Sequence, residues 1–470
     1  MKKNIYIIIS LVTAVTVIGI TSCTKIDETK PDYIFTEEDA IQSPADVQNL
    51  LNSCYDAFAN AINGRMQTYN DLLSDDLTKP IKDDNGFKNE IYNRNTNIFN
   101  SDVKDLYKTF YVIPFRINNM ESFYTKVGVS ESEQKRMRAE GRFLRAACHF
   151  EVLKLWAQPS GFSPSNDHPG IVIRDEVSQL PKTRSTVAES YAFIISDLQY
   201  AIENLPEPND DYKASKSSAK ALLAKVYYMM NKPTEALVLL NDVIASSGKS
   251  LSGAINRFDT TAALSEFIFT TRSTGASDNR AGEFVSRYRC DTKTAEFALS
   301  KELYTLLTAD TLDKRGKNLV QIFNAGKDNE YYGCKKFNSD FFGVPYLNMT
   351  DLVLTRAELA AETGDLATAI GDINKIIYRA YADSTTKILA GGANASDVLA
   401  EIRKQRRLEL FCEGDRVQSL KRRGANNTDP SYNSNLKIRN ASWYCPGLTL
   451  QFPSVETGAG FVFNGTGGCN

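Results

Sequence analysis

The chain has 470 residues, 42% hydrophobic, 24% charged and 10% aromatic, the make-up of an ordinary folded protein rather than a disordered one. Lys plus Arg number 55 against 57 Asp plus Glu, so a formal net charge of -2 gives no general attraction to nucleic acid or to anionic membranes. The length exceeds what one core usually serves, but a chain that grows by stacking repeats need not split into separate folds.

At the start, Lys2-Lys3 followed by the uncharged apolar run Ile5 to Ile20 predicts a secretory signal over residues 1–22. That run is short of the roughly 20 residues needed to span a bilayer. It ends in Ile20-Thr21-Ser22-Cys23, which resembles the lipobox of bacterial lipoproteins. Cys23 is therefore expected to be acylated after cleavage, each buried CH₂ contributing about 0.8 kcal/mol to anchoring, with residues 23–42 as a tether.

Helices come next, in pairs. Ser43-Pro44 starts a helix carrying Val47, Leu50, Leu51, Cys54 and Phe58, and a helix over 103–124 can pair with it. A helix over 136–157 buries Ala139, Phe143, Ala146, Ala147 and Phe150. Its partner over 187–205 opens with a Thr186…Glu189 capping box. Residues 221–245 then match the hairpin at 350–381 at a fixed offset of 133. Ala224 falls on Ala357, Ala236 on Ala369, Leu240 on Ile373, Asn241 on Asn374 and Ile244 on Ile377. In the second copy Gly364 suits a left-handed C-cap and Asp365 caps the following helix. A charged helix, 397–423, follows a Gly-Gly loop. The expected fold is mainly α, a tetratricopeptide-like array of about four helix pairs with a loop-rich irregular part packed on it. The irregular segments are 64–100, 158–184, 248–346 and 424–470, the last with short strands or turns, and loops this long are usually functional.

Motifs for catalysis are missing from the chain. There are two histidines: His149 lies beside an apolar helix face, and His168 is in a loop with no recognisable Ser or Cys partner. H-E-x-x-H, G-x-S-x-G and helix-leading G-x-G-x-x-G are absent, as are C-x-x-C pairs and an EF-hand spacing, so no cofactor or metal is expected. The basic run Arg403 to Arg407 is interleaved with Glu401, Glu409 and Glu413 at helical spacing, which supports a helix rather than nucleic-acid binding. Adjacent carboxylates, Asp75-Asp76 and Asp83-Asp84, read as a solvated loop surface. Cys54 and Cys148 read as buried apolar residues, while Cys445 and Cys469 sit in the tail where a staple would help most.

The hairpin at 350–381, its Gly364-Asp365 turn and the run I-R-K-Q-R-R-L-E-L-F-C-E-G-D-R at 402–416 together resemble the C-terminal half of the SusD/RagB family. Those are surface nutrient-binding lipoproteins of Bacteroidetes. The resemblance implies three parts beyond the tether: 43–247 with the first three helix pairs, a ligand-side insertion at 248–349, and 350–470. It implies that Arg406, Glu409, Glu413 and Arg416 tie the last helix to the array and to the tail. It also implies a non-catalytic protein lipid-anchored in the outer membrane and exposed at the cell surface. Such a protein captures an oligosaccharide or polysaccharide and delivers it to a SusC-like TonB-dependent transporter. An oligopeptide ligand, as in the RagB branch, is the alternative; a lipoprotein hydrolase and a plain tetratricopeptide scaffold are further rivals. Sugars stack on aromatic faces and bond amide, carboxylate and guanidinium groups. The candidate contacts are Tyr69, Asn70, Asp75, Asp76 and Phe87 in one loop and Asn279, Arg280, Phe284 and Tyr288 in another. The ligand is expected between these two regions.

Overall fold

The computed structural model describes residues 40–469 apart from 179, 208–209, 260, 427–434 and 459; Cys23 and the expected signal lie outside them. In chain order the helices of the first half are α1 (Pro44–Ala61), α2 (Arg65–Leu73), α3 (Phe87–Tyr92), α4 (Ser101–Phe123), α5 (Glu131–Trp156), α6 (Val187–Asn204), α7 (Lys216–Met229) and α8 (Pro233–Ser246). The middle holds β1 (Phe267–Thr270), α9 (Gly282–Tyr288), α10 (Lys301–Thr308), α11 (Lys314–Asn318), β2 (Val320–Phe323), β3 (Tyr331–Cys334) and β4 (Pro345–Asn348). The last part has α12 (Met349–Glu362), α13 (Leu366–Ala380), α14 (Ala395–Leu410), α15 (Arg416–Asn426), β5 (Lys437–Ile438) and β6 (Ala441–Ser442).

Local signals set the helix starts. Ser43 and Thr186 each cap with their side chain and receive the reciprocal bond from Asp46 and Glu189, two complete capping boxes. Ser130 caps α5, which starts that helix several residues before its apolar stripe does. Four pairs stack in sequence, α1 with α4, α5 with α6, α7 with α8 and α12 with α13, and α14 packs on the last. This is the tetratricopeptide-like array. The repeat offset holds at the element level: α7 and α12 begin 133 residues apart, as do α8 and α13. Equivalent positions do equivalent work. Ala224 and Ala357 are fully buried, and so are Ala236 and Ala369, because small residues let the two helices of a hairpin approach. Along α13, Ile373, Ile376 and Ile377 are fully buried, and each such side chain stabilises the fold by about 1.5–3 kcal/mol.

Among the described residues three antiparallel two-stranded ribbons punctuate the irregular part: β1 with β4, β2 with β3, and β5 with β6 in the tail. Two expectations need correcting. The segment 64–100 is not a continuous loop, since it contains α2 and α3. The charged helix is two helices, because the chain turns at Cys412 (φ 59°) and Gly414 (φ 80°) between α14 and α15. A Cβ on Gly414 would stand 2.9 Å from the Cα of Gln67, so α2 can lie against this turn only while residue 414 is glycine. Cys445 and Cys469 form a disulfide, and Cys54, Cys148, Cys290, Cys334 and Cys412 are buried thiols. Among the described residues no helix is long and apolar enough to cross a membrane.

Candidate functional site

Charged side chains of α14 and of the turn after it anchor the irregular part to the array. Glu409 accepts from Arg315 at 2.8 Å and Arg257 at 3.3 Å, both buried, and from the partly buried Arg379 at 2.6 Å. Burial alone would raise this carboxyl, but the guanidiniums of Arg379, Arg315 and Arg257 bring it down to about 2. Arg406 bonds Asp351 (2.9 Å), Thr355 (3.1 Å) and Asp415 (2.9 Å), and Glu413 receives Lys336 at 2.7 Å. Arg416 holds Asp75 with two bonds of 2.8 and 2.9 Å. These four residues therefore tie α14 and α15 to the array, to the middle segment and to the end of α2. The tail is held by others: Arg94 donates to Ile438 O at 2.7 Å and Trp156 to Gln451 O at 3.1 Å.

The two candidate loop regions do meet. The Phe284 amide donates to Asn63 O (3.3 Å), Arg65 pairs with Glu283 (3.1 Å), and the Ile81 amide donates to Glu296 O (2.8 Å). They pack so closely that several of the singled-out side chains become core. Tyr69, Asn70 and Asp76 are buried, and Phe284 and Tyr288 are wholly enclosed. Phe284 stacks on Phe337 at 4.2 Å and Tyr288 lies 5.2 Å from the same ring, so neither keeps a face for a sugar. Asp75 and Asp76 are not loop surface either; Arg407 bonds Asp76 at 2.8 Å. Burial would raise the Asp75 carboxyl, yet Arg416 and Arg407 hold it below the ordinary range, whereas burial leaves Asp76 above it. Phe87 is half-buried at the start of α3. Asn279 and Arg280 stay at the surface, where Asn279 donates to Asp340 O (3.1 Å) beside Phe341, which is 40% exposed.

Where the two regions meet, a groove of about 290 Å³ opens, lined by Lys82, Asp83, Asp84, Asn85, Lys88, Arg287 and Glu296. Lys88 sits among Asp102 (3.2 Å), Glu296 (3.5 Å) and Asp83 (3.9 Å). Glu296 also takes Arg287 at 2.5 Å. Ile81, 46% exposed, precedes Lys82 at the rim. Every lining group is a hydrogen-bond donor or acceptor suited to hydroxyls. The groove takes residues from both segments singled out in the sequence, together with Lys88 and Glu296, which were not named there because their spacing carries no motif. The Asp83-Asp84 pair was the visible hint.

Both histidines are engaged. His149 places Nδ1 3.0 Å from Arg145 O, while Nε2 accepts from the Arg174 amide at 3.3 Å. Burial, with Arg145 close by, pulls its pKa down to about 3. His168 has a serine after all: Ser163 Oγ lies 2.9 Å from Nδ1 and donates to Asp167 at 2.6 Å. In a Ser-His-Asp site the carboxylate holds the imidazole's other nitrogen. Here Nε2 faces Gln158 O at 3.2 Å and the carboxylate sits on the hydroxyl, so the relay is not built.

Known proteins agree with this architecture. A family model described as "Starch-binding associating with outer membrane" matches residues 28–228, and one described as "SusD family" matches 271–443. A SusD-like protein of Bacteroides ovatus is 34% identical over 114 residues, 24% of this chain and 19% of the relative. A SusD-like protein of Formosa agariphila is 29% identical over 280 residues, 57% of this chain and 53% of the relative. The chain thus spans about half the length, or less, of the curated relatives it matches. Among solved structures, a SusD superfamily protein from Bacteroides thetaiotaomicron has a TM-score of 0.76 at 22% identity, covering 90% of this chain and 100% of that one. A "Laminarin binding SusD-like protein" has a TM-score of 0.68 at 20% identity, covering 90% and 99%. At these identities the structural likeness establishes the fold; the two family models, which between them take in both the helical array and the α12–α15 region, establish the kinship. The chain belongs to the SusD/RagB family.

Proposed function

We propose that this protein is a non-catalytic outer-membrane lipoprotein, anchored through Cys23 and exposed at the cell surface. It captures an oligosaccharide or polysaccharide and passes it to a SusC-like TonB-dependent transporter. The observation that carries the reading is the groove where segments 64–100 and 272–299 meet, an open cleft of hydroxyl-bonding groups on a face held rigid by buried ion pairs. A solved structure of the same fold is named for laminarin binding, which favours saccharide over peptide as the ligand class. The absence of catalysis is supported by the surroundings of His149 and His168 and by the arginines that occupy Asp75 and Asp76.

Calorimetry with a panel of neutral glycans and oligopeptides tests this. Lys82→Ala and Asn85→Ala, both at exposed positions, are expected to weaken saccharide binding about five- to thirtyfold, the 1–2 kcal/mol of a dominant contact. Phe284→Ala should instead lower stability. Saccharide binding unchanged in both groove variants would remove the groove from the account, and binding of peptides alone would replace the ligand class.

A further inference from the structure

The tail builds a second hollow, of about 240 Å³, between residues 158–184 and 444–465. Three of its apolar lining side chains stand in the open: Phe162 at 41%, Tyr444 at 48% and Val462 at 58% exposure. Exposed aromatic rings gathered at one concavity are unusual on a protein that encloses most of its others. The walls are fixed. The Cys445–Cys469 disulfide closes the tail beside Tyr444, and the Asn464 amide donates to Trp156 O and Leu450 O at 2.8 Å each.

Arg184 lines this hollow. Its Nε donates to Gly170 O (2.8 Å), Nη2 to Pro169 O (2.8 Å), and Nη1 to Val462 O (3.1 Å) and Asn464 Oδ1 (2.9 Å). All four partners are neutral, and among the described residues no carboxylate pairs with it. Arg145, Arg315 and Arg406 are different, since each faces an aspartate or glutamate. A guanidinium has five N–H donors, so one on Nη2 has no acceptor among the described residues. Burial pulls this group down to about 10, in keeping with a charge that has no counter-ion. A second polar atom is also unmet: Gln158 Oε1, buried behind the wall of the same hollow, has no hydrogen-bond partner among the described residues.

We propose that this hollow is a second saccharide subsite, selective for a sugar that carries a carboxylate. The pyranose C–H face lies against Tyr444 and Phe162, and the uronate carboxylate supplies the counter-charge missing at Arg184. A peptide C-terminus could offer the carboxylate, but it has no flat C–H face for the two rings. The subsite does not depend on the groove at residues 82–88.

Saturation-transfer NMR titration of the full chain with methyl glucuronide and methyl galacturonide, beside the matching neutral methyl glycosides and a free-carboxylate tripeptide, tests it. A uronide is expected to bind at least tenfold tighter than its neutral counterpart. Arg184→Gln should erase that preference while leaving neutral-glycan binding at the other groove unchanged. Because Arg184 also clamps two segments of chain, Tyr444→Ala and Phe162→Ala, whose rings are exposed, are the companion variants. Each should weaken uronide binding about five- to thirtyfold without lowering the melting temperature. Equal affinity for acidic and neutral sugars, no uronide binding, preference for the tripeptide, or full uronide affinity in Tyr444→Ala would each overturn the proposal.

Discussion

Glu409 shows at the scale of one residue how the molecule is locked. Its carboxylate is enclosed with Arg257, Arg315 and Arg379, drawn from three separate stretches of chain. Removing one member of a buried ion network leaves the others uncompensated, which is strongly destabilising. Glu409→Ala is therefore expected to lower unfolding free energy by about 3–5 kcal/mol in urea titration, while Glu235→Ala, on an exposed pair with Lys232, should change it by less than about 0.5 kcal/mol. Equal effects would deny Glu409 its role. His149 gives a pH dependence. Its folded pKa is about 3, below the ordinary 6.5, so between those values the unfolded chain binds the proton and the folded chain does not. Stability must then fall as pH drops through that window, by up to about 1.4 kcal/mol per pH unit. His149→Gln, able to keep the bonds to Arg145 and Arg174, should show a shallower loss of urea midpoint between pH 6 and 4; parallel slopes would contradict the assignment. The core placement of His149 was legible because it sits beside a helical apolar stripe. The burial of Asp75 and Asp76 was not, since Arg416 and Arg407 lie 341 and 331 residues away.

Elements with one apolar face were readable, and elements without one were not. The pairs α7–α8 and α12–α13 announced themselves through a repeated stripe of Ala and branched residues at one offset. By contrast, α2 is buried on every side from Met66 to Leu73, including Gln67, Thr68, Asn70 and Asp71, so its sequence shows no alternation of apolar and polar faces. It therefore looked like a loop. The break between α14 and α15 was hidden for a related reason, because helical charge spacing runs on through Glu413 while the turn depends on Gly414 touching α2. Gly414→Ala combines a positive φ with a close backbone approach. It should destabilise the chain by more than the ~1 kcal/mol of an ordinary left-handed glycine replacement. Gly364→Ala, where a Cβ would meet nothing within 4 Å, is the control and should stay near that ~1 kcal/mol. A smaller loss at 414 than at 364 would mean that α2 does not press on the turn.

The whole molecule is a stacked helical array with irregular segments packed on it, and among its concavities are one that is polar at residues 82–88 and 287–296 and one that is aromatic-rimmed at 158–184 and 444–465. The array and the approximate place of the first concavity could be read from the chain; the second could not. Its walls come from segments with no periodicity, and the tail segment is closed on itself by a disulfide whose pairing the sequence left open. The central claim is capture without chemistry. One measurement addresses it directly: incubate the purified full chain with saccharides that it binds by calorimetry, and analyse the mixture by mass spectrometry over hours. The account predicts saturable binding with every saccharide recovered intact. Release of shorter products, absent from a Lys82→Ala, Asn85→Ala double variant, would contradict it and make the groove an active site.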